Sequence, residues 1–282
     1  VTLKLEKENL HVVSESTNSV IKSIDHSDFP SMPDVGGDTQ DTELSHKQLR
    51  DGIESVSFCA SRSNVKPELS SVLVTQSNNT LAFAATDGYR LAEKTFVSDS
   101  SEDFDVLLPV TSITTILKVL STAAEDETVA MTFSDNQIAI TTPNLFITTR
   151  LTMGNFPDYK QLIPDDKETS AVMLTQDLSA VLKRIGIFSD DFNEVMVVID
   201  VAKKIFELSA SNQSVGQNQS KVPAAIEGES LDMKFNHQYI ADCIPSIATD
   251  SVELSFNGPG KPMKITTVPK TGFTYIVMAL NK

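Results

Sequence analysis

One pattern of alternating apolar residues occurs three times along this chain. Val1, Leu3, Leu5, Leu10 and Val12 match Val129, Met131, Phe133, Ile138 and Ile140 at an offset of 128 residues. Val252, Leu254, Phe256, Met263 and Ile265 repeat it, starting 123 residues beyond Val129, around the turn Asn257-Gly258-Pro259-Gly260. Apolar alternation with a period of two, interrupted by a polar turn, reads as a strand-turn-strand hairpin. Recurrence at a near-constant spacing means a chain of like units, each about 125 residues, a common domain size. Helical patterns recur too. Ser45 to Ser61 (SHKQLRDGIESVSFCAS) corresponds to Thr175 to Ser189 (TQDLSAVLKRIGIFS), each expected to open on a hydroxyl cap, with Gln48 completing a capping box after Ser45.

The repeat sets the expected domains: residues 1–36 as the C-terminal remnant of a first copy, 37–164 as a second and 165–282 as a third. On the same plan the chain is expected to start roughly 90 residues into its first copy. The joint between copies two and three is NFPDYKQLIP, Asn155 to Pro164, with a shorter echo at Asp28-Phe29-Pro30-Ser31-Met32-Pro33. A proline holds the residue before it out of the helical region. The joint therefore runs extended, and Tyr159, Leu162 and Ile163 are expected to lie against packed structure.

A net charge of -15 on 282 residues argues against a surface that grips nucleic acid all over, without excluding a local basic face. Cys59 and Cys243 lie in different copies without metal-ligand spacing, which suits a reduced, intracellular chain. No apolar run approaches the ~20 residues of a membrane span, and no signal-peptide pattern opens the sequence. A cytoplasmic protein is expected.

Four helices are expected. The first has Leu49, Ile53, Val56 and Ala60 as its apolar stripe, with His46, Lys47 and Arg50 off it. Val110 to Leu120 turns Ile113, Leu117 and Leu120 inward and Lys118 outward. The third buries Leu178, Leu182 and Ile185 and leaves Lys183 and Arg184 opposite. The fourth is capped by Asn236 and shortened by Pro245. These segments sum to a charge of +1 against -16 for the rest of the chain, so the net acid is kept off the helices, which suits a surface facing something negative.

Ser71 to Thr86 reads as a hairpin, with Val72 and Val74 opposite Leu81 and Phe83 around Ser77-Asn78-Asn79. It runs into Thr86-Asp87-Gly88-Tyr89-Arg90-Leu91. Taken alone that is a tight turn, with Gly88 at positive φ and Asp87 bonding its own backbone. Copy three has the matching strand, KKIFELSA, but continues into SNQSVGQNQSK, which reads as a flexible polar loop. A loop that differs between copies of one scaffold is where function is expected. Val195 to Ile199 reads as a buried strand, and TGFTYIVMAL as a terminal one.

Nothing points to catalysis. His11, His26, His46 and His237 are dispersed without metal-ligand spacing and suit surface or strand roles, and the carboxylate pairs Asp165-Asp166 and Asp190-Asp191 point apart. No phosphate loop, nucleophile elbow or zinc motif occurs. No catalytic residue, metal or cofactor is expected.

TDGYRLA followed by FPDYKQLIP, a terminal YIVMAL strand and the repeat together resemble the beta sliding clamp family of bacterial DNA polymerase III, over the whole chain. The ordered pairing of TDG-x-RLA with FPDY-x-x-x-IP is what makes the resemblance specific. It implies an α+β fold of repeated clamp domains, each with two helices packed on antiparallel sheets, in a homodimer ring around double-stranded DNA that is not read in sequence. It further implies a non-enzymatic processivity factor that tethers the replicative polymerase, clamp loader and repair proteins through a short linear motif. The pocket for that motif would take Leu69, Thr86, Gly88, Tyr89, Arg90, Leu91, Pro157, Gln161 and Leu162 from copy two and its joint. Copy three would add Tyr239, Pro262, Ile276, Met278, Ala279 and Leu280. Lys47, Arg50, Lys118, Lys183 and Arg184 would face DNA. Two departures stand out: Tyr89 where the family often has histidine, and Ala279-Leu280-Asn281-Lys282 where it usually ends Pro-x-Arg-Leu. With most of the first copy absent, a chain that is monomeric or weakly associated is expected, with Ile187 and Phe188 on the contact surface of copy three. The alternatives are a repeat-built peptide-binding scaffold that never encircles DNA, and a hydrolase using Asp87, which lacks a paired group.

Overall fold

The computed structural model describes residues 1–25, 27, 29–30, 33–63, 65–99, 102–122 and 128–280. His26, the Asp28, Ser31 and Met32 positions of the shorter connector, and the terminal Asn281-Lys282 lie outside them. Two compact units are present, Val1–Asp34 and Val35–Lys282.

The first unit is a meander of β1 (Thr2–Glu6), β2 (Asn9–Val13) and β3 (Asn18–Lys22). Lys7 and Glu8 at its first turn have φ of 49° and 64°, the left-handed geometry that suits a two-residue hairpin. Leu3 pairs with Val12, Leu5 with Leu10, and Leu10 with Ile21, so the alternation read from sequence gathers these residues on one face.

The second unit is α+β. Its chain runs β4 (Gln40–Ser45), α1 (His46–Val56), β5 (Ser71–Ser77), β6 (Thr80–Thr86), β7 (Arg90–Val97), β8 (Phe104–Pro109), α2 (Val110–Leu120), β9 (Thr128–Phe133), β10 (Gln137–Thr142) and β11 (Leu145–Arg150). After the connector come β12 (Thr169–Leu174), α3 (Thr175–Gly186), β13 (Glu194–Asp200), β14 (Ile205–Asn212), β15 (Gly216–Val222) and β16 (Ala224–Glu227). β17 (Leu231–Asn236), α4 (His237–Cys243), β18 (Ser251–Phe256), β19 (Met263–Val268) and β20 (Phe273–Val277) complete it. The sheets are antiparallel, in the orders β11-β10-β9-β4, β15-β14-β13-β17 and a nine-stranded β16-β12-β18-β19-β20-β7-β6-β5-β8. In the last, β20 pairs with β7, so strands from both repeats form one continuous sheet.

That sheet is buried on both faces. Phe83, Ala85, Ala92, Tyr275 and Val277 join the main core that packs the helices, while Leu73, Ala84, Leu91, Leu107 and Ile276 form a second cluster on the opposite face. The period-two pleat separates the two sets. Tyr159 closes the second cluster, with Phe156 and Ile163 packed beside it, so the connector is a strap across the sheet. Leu162, expected to pack with them, is 55% exposed because a short 3₁₀ turn, Lys160–Leu162, rolls its side chain outward.

Several local expectations change. Ser45 makes no side-chain cap, and the Gln48 amide donates to the Val97 carbonyl instead. Thr175 is the first residue of α3 rather than its cap, and its hydroxyl donates to the Thr249 carbonyl at 2.9 Å. Both helices follow directly on paired strands, so the ladder sets the entry geometry. Asn236 does cap α4, accepting from Gln238 and Tyr239 amides, and the helix gives way to a 3₁₀ turn holding Pro245. His46 and His237 are buried, not superficial: each Nε2–H donates across its helix pair, to the Leu120 carbonyl at 2.6 Å and the Leu182 carbonyl at 2.8 Å. The first hairpin of copy two turns at Asn78-Asn79, pairing Val74 with Phe83 and Gln76 with Leu81, so Val72 does not face Leu81. SNQSVGQNQSK is no loop: β14 and β15 form a paired ladder through it. The terminal strand stops at Val277. Among the described residues no helix is long and apolar enough to cross a membrane.

Candidate functional site

The turn between β6 and β7 is built by its own side chains. Asp87 Oδ1 accepts from the backbone amides of Tyr89 at 2.9 Å and Arg90 at 3.1 Å, and Gly88 takes φ 91°, where a side chain would strain the backbone. Thr86 Oγ1 donates to the Arg90 carbonyl at 2.6 Å and accepts from the Gly88 amide. The turn is therefore rigid, and it presents Tyr89, 65% exposed, at the end of β7.

The strand register brings copy three to this turn. Leu91 pairs with Ile276 and Arg90 with Val277, and the Met278 amide donates to the Tyr89 carbonyl at 2.9 Å. Alternation puts Met278, 42% exposed, on the same side as Ile276, which is the side strapped by the connector. Exposed Pro157, Gln161 and Leu162 rise from that strap. Its anchor is Glu93, 8% exposed on β7, which accepts from the Tyr159 hydroxyl at 2.7 Å and pairs with the Lys160 ammonium. Burial, reinforced by the Glu93 charge, pushes the Tyr159 phenol far above its ordinary pKa, so it stays a donor.

Arg90 points the other way, into the helix side of the sheet. Its Nε donates to Asp87 at 2.9 Å, Nη1 to Asp242 at 2.6 Å and Nη2 to the Phe58 carbonyl at 3.1 Å. The guanidinium carbon lies 4.6 Å from the Tyr239 ring centroid and 5.7 Å from that of Phe58. Burial works against its charge, but the bonds to Asp242 and Asp87 outweigh that and raise its pKa further. The Tyr275 hydroxyl donates to the Tyr239 carbonyl, tying β20 to α4. Beneath this layer lie Cys59 and Cys243, whose thiols burial holds well above their ordinary pKa.

The residues expected at a pocket thus divide. Leu91, Ile276, Met278 and the strap share one face, Arg90 and Tyr239 lie on the other, and Thr86, Gly88 and Tyr89 form the end where the two meet. Arg90, expected to line a pocket, has all three of its nitrogens engaged by the protein. Pro262 precedes Met263, the partner of Val277, and so flanks the Met278 end of the ladder. Leu69 is half-buried in the turn before β5, its carbonyl accepting from the Ser61 amide. Ala279 and Leu280 line a separate cavity of about 280 Å³ with Met196, Met233, Lys234 and Pro259, held there by the Leu280 amide bonded to the Lys234 carbonyl. Phe58, Glu93 and Asp242 were missed in the sequence, since nothing in their local pattern signals a partner 32 to 152 residues away.

Lys47, Lys118, Lys183 and Arg184 are exposed, and none forms an ion pair among the described residues. Arg50 differs, with its guanidinium held by Asp51 at 3.1 Å. Lys118, Lys183 and Arg184 sit in last turns, where the helix dipole favours cations. No group of three or more metal-ligating side chains is assembled among the described residues.

This arrangement has known counterparts. The family description "DNA polymerase III beta subunit, central domain" matches residues 43–158, and its C-terminal domain matches 160–281. The chain belongs to the DNA polymerase III beta subunit family. The beta sliding clamp of Synechococcus elongatus is 27% identical over 265 residues, spanning 93% of this chain and 70% of that protein. That of Staphylococcus epidermidis is also 27% identical, over 93% of this chain and 69% of its own length. The crystal structure of the Thermotoga maritima beta subunit superposes with a TM-score of 0.87 at 26% identity, covering 99% of this chain and 76% of that one. The Pseudomonas aeruginosa subunit, at 22% identity and a TM-score of 0.89, shares the fold over 99% of this chain and 76% of its own.

Proposed function

We propose that the seam where β7 meets β20 is a docking groove for a short linear motif carried by the replicative polymerase, clamp loader and repair proteins. The chain is a DNA sliding clamp, a non-catalytic subunit that works with DNA and DNA polymerase III. Its finer organisation follows the family pattern: a clamp domain at 37–164, another at 165–282 and part of one at 1–36, in the cytoplasm, with a homodimer ring around duplex DNA formed where all three clamp domains are whole. Lys47, Lys118, Lys183 and Arg184, with Arg50 beside its aspartate, supply a mildly basic helix surface. Sequence-independent sliding needs phosphate contacts only, and topological closure does the work of affinity.

The observation that carries the groove is an apolar ledge, Tyr89, Leu162 and Met278, left exposed around buried Leu91 and Ile276 on a rigid frame. Two apolar peptide anchors contribute roughly 1.5 to 3 kcal/mol each on burial. After ordering costs, a Gln-Leu-x-Leu-Phe peptide should bind with micromolar affinity, about -8 kcal/mol. Calorimetry should show binding abolished in Leu162→Ala/Met278→Ala; unchanged affinity in that double variant would remove the groove assignment. The ring is tested separately, on a form with three whole clamp domains, by retention on closed circular against linear duplex. Equal retention on both would favour a peptide-binding scaffold that does not encircle DNA.

A further inference from the structure

The family resemblance places Arg90 where a partner would touch it, yet its side chain is engaged elsewhere. Its planar fork reaches three segments far apart in sequence: the Asp87 turn, the Phe58 carbonyl beyond α1, and Asp242 on α4. Its faces are occupied as well, with Tyr239 on α4 and Phe58 packed against it. The guanidinium side chain is only 12% exposed, and Asp242 is 30% exposed. Asp242 is itself held, since its other oxygen accepts from the Gln238 amide at 2.6 Å one helical turn back. A charge pair of this kind, hydrogen-bonded at both ends and partly desolvated, is costly to break from one side.

What the pair joins is informative. On one side stands the turn that carries Tyr89, and on the other the helix that carries Tyr239. α4 has only seven residues, and its other links to this region are the Tyr275 hydroxyl on the Tyr239 carbonyl and side-chain packing. The guanidinium touches both, stacking on the Tyr239 ring while it bonds the Asp87 side chain that builds the turn.

We propose that Arg90 and Asp242 form a latch between the two repeats that sets the position of Tyr239 against the Asp87-Tyr89 turn, making Asp242 a positioning residue for peptide binding. The binding arm of this inference rests on the groove reading; the latch itself does not. The same chemistry predicts which replacements work. Asp242→Glu keeps a carboxylate and can reach the fork, whereas Arg90→Lys keeps the charge but can neither fork nor stack.

The test uses the whole chain, a fluorescein-labelled Gln-Leu-x-Leu-Phe peptide, and hydrogen exchange of α4. Asp242→Asn should weaken the peptide about 10-fold, chiefly through faster dissociation, and speed exchange at the Tyr239 and Ile240 amides by a similar factor of about 10. Arg90→Lys should behave like Asp242→Asn, and Asp242→Glu should recover affinity to within about 3-fold of the parent. Faster exchange with unchanged affinity would overturn the positioning role, and unchanged exchange in both Asp242→Asn and Arg90→Lys would overturn the latch. Should the parent chain fail to bind the peptide, the groove reading falls while exchange still decides the latch. Circular dichroism identifies any variant that does not fold, and Asp242→Glu then decides through the same two measurements: a loss as large as a broken pair would produce overturns the proposal.

Discussion

The hairpins β6–β7 and β14–β15 have corresponding places in the two repeats but different fates. Both turn on a residue that bonds its own backbone. Asp87 holds the Tyr89 and Arg90 amides, while Asn212 accepts from the Ser214 amide and donates to the Ser189 carbonyl, each at 2.9 Å. Beyond the turn they part. β7 is paired on both sides, by β6 and β20, and buries Leu91 and Ala92 on opposite faces. β15 lies at a sheet edge and reads GQNQSKV, its exposed positions polar, as an edge strand must be if it is not to recruit neighbours. A turn becomes a candidate site only where its strand is shared between repeats, because only there do side chains of both meet around it.

The largest test of that contrast removes the ring beneath the shared seam. Tyr275, fully buried against Phe58 and bonded to the Tyr239 carbonyl, should lose about 3 to 5 kcal/mol of stability on change to Ala, while Gln217→Ala on the edge strand should stay within about 0.5 kcal/mol. Chemical denaturation reads both, and equal losses would show that sharing the seam confers no special rigidity. A smaller difference is expected at the turns themselves. Asp87→Ala frees two amides and one edge of a largely buried guanidinium, about 2 kcal/mol, against about 1 kcal/mol for Asn212→Ala.

The seam also predicts an alkaline limit. Burial, the largest cause in each case, raises the pKa of the Tyr159, Tyr239 and Tyr275 phenols and of the Cys59 and Cys243 thiols, and outweighs the opposing Arg90 charge at all but Tyr159, which Arg90 does not reach. In each case the folded chain keeps a proton that the unfolded chain loses first. Stability is therefore constant in these groups below the ordinary thiol and phenol range and falls as pH rises through and above it. Each group contributes a slope of up to about 1.4 kcal/mol per pH unit. The melting temperature should drop from about pH 9 upward, and Tyr275→Phe should flatten the fall above about pH 10. A flat profile to pH 11 would mean these groups are not protected as the packing indicates.

How much of this was legible depends on the range of the signal. The three hairpins, the α2 boundaries, the Asn236 cap and the Asp87 turn were read correctly, because period and local hydrogen bonding act within a few residues. The polar stretch Ser211 to Lys221 was misread as a loop, since an edge strand that faces water on one side need not be apolar. Ser45 and Thr175 looked like caps because their identity fits, but the preceding strands had already oriented the backbone. His46 and His237 looked superficial because a ring that donates to a carbonyl of a neighbouring helix leaves no trace in its own periodicity.

Residue spacing and composition alone establish that the chain is built of repeated hairpin-and-helix units, that one turn is not duplicated, and that the net negative charge lies outside the helices. Those are properties of spacing and composition, and spacing is conserved when the chain folds. Packing across distant segments was needed to join β20 to β7, to turn Leu162 to solvent while Tyr159 is buried, and to direct Arg90 away from the connector side of the sheet toward Asp242, 152 residues distant. An arginine reads the same in sequence whether it meets a partner or braces its own fold. Which it does depends on the carboxylates and rings that packing brings within reach of its five donors.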